Sequence, residues 1–131
     1  ELNTYPDHDV VLSHEDPNGI LQLYRKSCDG IHSKQLTQSK SGCRMPACAP
    51  NGERLAYGEQ TNNGIALCIS ALDGTNAVTL VQEGVNLLPC WAPDSTHLIW
   101  LKVILTRIQG YFSWATRELP DSQAEFLCRR N

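Results

Sequence analysis

The segment Cys48-Ala49-Pro50-Asn51-Gly52-Glu53-Arg54-Leu55-Ala56-Tyr57 returns as Trp91-Ala92-Pro93-Asp94-Ser95-Thr96-His97-Leu98-Ile99-Trp100, and this repetition constrains the fold more than anything else in the chain. Pro50 and Pro93 lie 43 positions apart, and each copy is preceded by a second proline, Pro46 or Pro89, at one offset. A weaker copy opens the chain at Tyr5-Pro6-Asp7-His8-Asp9-Val10-Val11-Leu12, with Pro6 44 positions before Pro50. A second marker keeps step, since Asp29-Gly30 and Asp73-Gly74 are also 44 positions apart. Two markers at one period describe tandem units that must stack to bury their apolar faces.

Each unit expects four strands and three turns. Pro-Asn-Gly and Pro-Asp-Ser are turn chemistry, because proline presets the first turn dihedral and Asn or Gly accepts the left-handed region that follows. Asp16-Pro17-Asn18-Gly19 and Thr61-Asn62-Asn63-Gly64 are further hairpin turns, and an Asp-Gly pair between alternating segments is another. In the middle unit the strands fall near Met45 to Cys48, Arg54 to Gly58, Ile65 to Ala71 and Ala77 to Val81. Ile65, Leu67 and Ile69 alternate with Ala66, Cys68 and Ser70, which predicts a sheet with one face buried more than the other. No segment carries a helical period.

Four short strands in about 40 to 50 residues make a β-propeller blade. The stretches CAPNGERLAY, ALCISALDGTNAVTL and PCWAPDSTHLIW resemble the TolB-like β-propeller repeat, a WD40-like propeller repeat with Trp-Ser-Pro-Asp-Gly, an Ile-Ala-Tyr-like strand, an Asp-Gly hairpin and a closing Leu-Thr. Trp91 stands at the family's Trp position, Cys48 and Thr4 replace it in the other units, and Ala49 and Ala92 occupy the usual Ser position. The third unit has Pro120-Asp121-Ser122 where the others have Asp-Gly. The expected fold is all-β, about three four-stranded antiparallel blades spanning 1–42, 43–86 and 87–131. Its repeat-turn residues are Pro6, Asp7, Pro50, Asn51, Gly52, Pro93 and Asp94, with Asp29, Gly30, Asp73 and Gly74. The resemblance implies a periplasmic or secreted scaffold that engages proteins.

With 131 residues the chain makes one domain, and a charged fraction of 19% is that of a globular protein. A formal charge of −3 argues against a nucleic-acid partner. The longest apolar stretch, Leu98 to Leu105, is broken by Lys102 and is far shorter than a membrane helix, so no transmembrane segment is expected. The chain begins at Glu1 and its single methionine is Met45, which fits a processed or trimmed chain. Six cysteines, Cys28, Cys43, Cys48, Cys68, Cys90 and Cys128, lean toward disulfides in an oxidising compartment. The competing expectation is that several are small core hydrophobes, Cys68 within a strand and Cys48 in place of a core Trp.

No Gly-x-Ser-x-Gly elbow, His-Glu-x-x-His, phosphate loop or Cys-x-x-Cys is present, so catalytic, cofactor and metal residues are all expected to be none. Asp7-His8-Asp9 and His14-Glu15-Asp16 have no accompanying ligand cluster and read as solvated turns. His32 and His97 sit at turns and read as structural. Residues 1–16 carry five acids and no Lys or Arg, whereas 102–131 carry five basic and three acidic residues. Three blades do not close a ring, since propellers have four to eight. The expected function is therefore a non-enzymatic protein-binding or assembly scaffold whose acidic end, with Glu1, Asp7 and Asp9, meets the basic end of another copy, with Arg117, Arg129 and Arg130. The expected partner is protein or self, as an oligomer-completed ring or a filament. The alternatives are a substrate-gating propeller domain of a secreted peptidase or polysaccharide-processing enzyme, and a structural subunit of an extracellular fibre.

Overall fold

The computed structural model describes residues 9–103 with their side chains, and by backbone alone residue 104 and the strands Asn3–Thr4, Arg107–Ile108, Tyr111–Thr116 and Glu125–Arg130. Among the described residues all regular structure is strand. The first unit holds β1 (Asn3–Thr4), β2 (Val10–Glu15), β3 (Leu21–Lys26) and β4 (Ser33–Gln35), paired in that order. The second holds β5 (Cys43–Cys48), β6 (Arg54–Gln60), β7 (Ile65–Ala71) and β8 (Val78–Val81). The third holds β9 (Val85–Trp91), β10 (Leu98–Ile104), β11 (Arg107–Ile108), β12 (Tyr111–Thr116) and β13 (Glu125–Arg130). Within each unit neighbouring strands pair antiparallel, and one parallel pairing, Ile65 with Val85, splices the second and third into a continuous sheet. These are three propeller blades in tandem.

The two repeat motifs among the described residues build the same turn. Gly52 N–H donates to the Ala49 carbonyl at 2.9 Å and Ser95 N–H to the Ala92 carbonyl at 3.0 Å. The side chains of Asn51 and Asp94 accept from the backbone N–H two residues on, at 3.0 and 2.9 Å. At the outer hairpins Asp29 accepts from Ile31 N–H and Asp73 from Thr75 N–H. The short polar side chain thus imitates a further backbone bond and locks the turn before the strands need to pair.

Blades adhere face to face. Val11, Leu23 and Leu36 of the first blade pack with Cys43, Leu55, Tyr57, Ala66 and Cys68 of the second. On the other side Ala47, Ala56, Leu67 and Ile69 pack with Leu98 and Trp100 of the third, flanked by Trp91. Since side chains alternate along a strand, β7 sends every other residue into each seam, and all six residues Ile65 to Ser70 are buried. The sequence predicted one face buried more than the other; both faces of β7 are buried, and the alternation of large and small apolar residues marks two unequal seams.

Two buried amides fasten the connections. Gln22 donates to the Ser39 carbonyl at 2.7 Å and accepts from Thr37 Oγ1 and Ser39 N–H, pinning the segment that leaves β4 for the next blade. Asn86 donates to the carbonyls of Ile65 and Glu83 and accepts from the Trp100 indole N–H at 3.0 Å. Each satisfies groups that would otherwise be buried without partners.

Gly30 and Gly74 occupy the same turn position at φ +76 and +88°, but their surroundings differ. A Cβ on Gly30 meets nothing within 4 Å, whereas one on Gly74 falls 2.1 Å from the Leu36 carbonyl oxygen of the neighbouring blade. Gly30→Ala is therefore expected to cost only the left-handed strain, about 1–2 kcal/mol. Gly74→Ala adds displacement of the first seam and should cost at least about 1 kcal/mol more, within the range of overpacking. Urea unfolding of the two variants measures the difference, and equal losses contradict the seam contact.

Candidate functional site

The innermost strands β5 and β9 lie side by side, and each carries the same irregularity. Met45 and Leu88 stand at equivalent repeat positions, each before a buried proline, and each adopts φ 55°. The β5–β6 register shifts between Arg44 and Ala47, and the β9–β10 register shifts across from Leu88 and Pro89. Each strand therefore contains a bulge with a bulky residue in the left-handed region. The bulge turns Leu88 outward to 61% exposure. Its N–H points at Met45 Sδ, 3.5 Å away, and the Trp91 indole N–H donates to the Ala47 carbonyl at 2.8 Å, tying the strands together.

Between them opens a cleft of about 690 Å³ whose lining includes Met45, Pro46, Leu88, Pro89 and Trp91, with Arg44 and Ser13 at its polar side. Arg44 Nε is buried without a hydrogen-bond partner. The cleft is thus lined mainly by apolar side chains with the Arg44 side chain at its edge, suited to a largely apolar group. Cys48 also lines it, but burial pushes its thiol up to about 11, with Arg25 opposing the shift, so it is a neutral thiol and a poor nucleophile. No group of three or more His, Cys, Asp or Glu side chains converges on a possible metal position among the described residues.

The sequence-derived candidates are distributed differently. Pro50 lines the cleft, and Asn51 joins the two inner turns, because its N–H donates to Ser95 Oγ at 3.0 Å. Ser95 has φ 62° where the second blade has Gly52, and is buried. Asp94 is exposed and contacts the His97 ring at 2.7 Å, a turn role for that histidine. Asp29, Gly30, Asp73 and Gly74 form the outer hairpins, away from the cleft. Of the association ends, Asp9 pairs with Arg25 at 2.8 Å within its own blade. Pro6, Glu1, Asp7, Arg117, Arg129 and Arg130 fall outside the described side chains.

The disulfide expectation is met by no bond among Cys28, Cys43, Cys48, Cys68 and Cys90, and Cys128 lies outside the described side chains. Geometry gives the reason. Cys43 and Cys68 share a seam but lie on β5 and β7 with β6 between them, which separates them by about 10 Å at normal strand spacing, beyond disulfide reach. Burial pushes their thiols up to about 11 and about 12, as expected of core hydrophobes. The cleft itself escaped sequence reasoning. Its one legible sign was the repeated proline at Pro46 and Pro89 beside Met45 and Leu88.

The folded stack and its inner-strand cleft define a class, the β-propeller. No family model matches the chain. A Tol-Pal system protein TolB from Desulfosudis oleivorans is 29% identical over 81 residues, 62% of this chain and 18% of that protein. The crystal structure of TolB from Acinetobacter baumannii superposes with a TM-score of 0.75 at 18% identity, covering 96% of this chain and 33% of that one. A TolB-type structure from Agrobacterium tumefaciens gives 0.71 at 11% identity, covering 95% and 47%. The chain has a β-propeller fold similar to that of TolB proteins, and it spans less than a fifth of the length of the curated relatives it matches.

The turn carboxylates set an acid limit. Asp16 is held below its ordinary value of 3.8 chiefly by the Ile20 N–H, Asp29 by the Ser27 hydroxyl, Asp73 by the Thr75 hydroxyl and Asp94 by the Thr96 N–H. A depressed folded-state pKa contributes stability above the unfolded value that is lost as pH falls through the folded value. Melting temperature should therefore be flat above about pH 5 and fall below about pH 4. Asp73→Asn should flatten part of that acid slope. In the inner turns, Ser95→Ala leaves Asn51 N–H without its acceptor and should cost about 1–3 kcal/mol. Ser95→Gly also removes the bond but relieves the left-handed strain, so it should cost less. Denaturant unfolding ranks the two, and the reverse order contradicts the account.

Proposed function

We propose that the chain is a non-enzymatic protein-binding and assembly scaffold that takes a partner segment into the cleft between β5 and β9. The observation that carries this reading is Leu88, a large apolar side chain 61% exposed on a strained backbone. At an exposed left-handed position Gly or Asn is the low-energy choice, whereas Leu costs about 1–2 kcal/mol in conformation and leaves most of its surface in water. Strain of this kind persists where a surface serves a purpose beyond folding. Leu88 with Met45 and Trp91 offers an apolar contact, and the Arg44 side chain that lines the cleft adds a positive charge beside it. Resemblance to TolB-like repeats supports periplasmic or secreted placement and protein partners. The formal charge of −3 argues against nucleic acid.

The test uses a displayed library of random peptides, with tryptophan fluorescence as the binding signal. Selected peptides should be rich in apolar side chains beside an acid, and Leu88→Asp should weaken them at least about tenfold, which is about 1.4 kcal/mol. Arg44→Gln should weaken those peptides bearing the acid, with strand content by circular dichroism unchanged. Peptides that bind wild type and Leu88→Asp equally would sink the cleft as the contact site.

A further inference from the structure

The two flanks of the stack are unlike. On the first blade the face turned away from the second carries Val10, Leu12, His14, Gln22, Tyr24 and Lys26, since Val11 and Leu23 face the seam and side chains alternate. That flank is settled on itself: the His14 and Tyr24 rings stack at 3.6 Å and 10°, and Tyr24 donates to Gln35 at 3.2 Å. On the third blade the face turned away from Leu98 and Trp100 carries Ile99, Leu101 and Val103, with their register partners Cys90, Leu87 and Val85 beside them. Among the described residues this face is apolar, and Ile99 and Cys90 are exposed.

The internal seams indicate what such a flank holds. Ile99 and Leu101 lie 43 positions after Ala56 and Gly58, the side of the second blade on which the third one seats. The flank therefore continues an interface already made inside the chain, and the surface that fits it is the leading face of another blade. Leu12 and Tyr24 are that face on the first blade: they occupy the places that Tyr57 and Cys68 hold where the second blade meets the first.

We propose that the third-blade flank of one copy docks the first-blade flank of a second, and the second returns the contact, so that two chains close one six-blade ring. This rests on the scaffold reading above and specifies its self-partner. Each junction joins unlike flanks, and the two junctions are related to each other by a two-fold axis through the ring.

Native mass by light scattering on the purified chain tests it. Twice the chain mass is expected at about 10–50 µM, and an apolar junction should keep that mass at about 1 M salt, where exposed ion pairs are screened. Leu101→Glu and Leu12→Glu should each shift the dissociation midpoint at least about tenfold, while strand content stays unchanged. If Leu101→Glu fails to fold, Ile99→Lys, at a site already 39% exposed, replaces it. Mixing the two variants should restore association in part, because one junction in the pair is then intact. A monomer across the concentration range overturns the proposal, as does a dimer indifferent to Leu12→Glu or one dissolved by salt. A monomer that still binds cleft-selected peptides would remove the docking while leaving the scaffold reading in place.

Discussion

Face-to-face burial between blades is the interaction on which everything else here depends. A single four-stranded sheet of this size has two faces and no interior, so its apolar residues are buried only by the next sheet. The second blade meets this condition on both sides, and its strand β7 is buried through six consecutive residues. Size matching makes the second seam close. Ala47 and Ala56 on one side leave room for Trp91 and Trp100 on the other, and both indole N–H groups find acceptors, the Ala47 carbonyl and Asn86 Oδ1. A buried indole without its acceptor would lose much of what its area contributes.

The turns were legible in the sequence because they are local. Pro-Asn-Gly, Pro-Asp-Ser and Asp-Gly each form their structure from two to five consecutive residues, and the strands between them follow within one or two positions of the expected ends, β5 starting at Cys43 and β6 running to Gln60. What joins blades was not legible. Gln22 reaches Thr37 and Ser39, and Asn86 reaches back to Ile65; nothing in the composition of a strand tells a buried amide with distant partners from a wet one. The cysteines show the same division. Their number suggested cross-links, whereas their strand positions, two of them across the width of β6, make Cys43 and Cys68 seam-filling thiols.

The cleft was hidden for a further reason: a bulge leaves little trace in an apolar run. Met45 and Leu88 look like ordinary strand residues until the register shifts that accompany them are known. The repeated proline is consistent with the bulge, since proline is tolerated in a strand where the ladder is interrupted, but the same proline would also suit a strand end.

These bulges also set which way the inner strands face. With strict alternation Cys43 and Ala47 would share one side of β5, yet Cys43 and Cys48 pack toward the first blade while Ala47 packs toward the third. One inserted residue reverses the alternation partway along the strand. In β9 the same insertion lets Trp91 face inward to Ala47 while Leu87 and Cys90, three positions apart, both join the outer flank beside Leu101 and Ile99. The bulge is thus required by packing, and packing alone would be served by glycine at its left-handed position. The residue present is Leu88, exposed, so backbone geometry accounts for the shape of the cleft and the side chain accounts for its apolar surface. Seam, cleft and open flank follow from a single irregularity repeated in two adjacent strands.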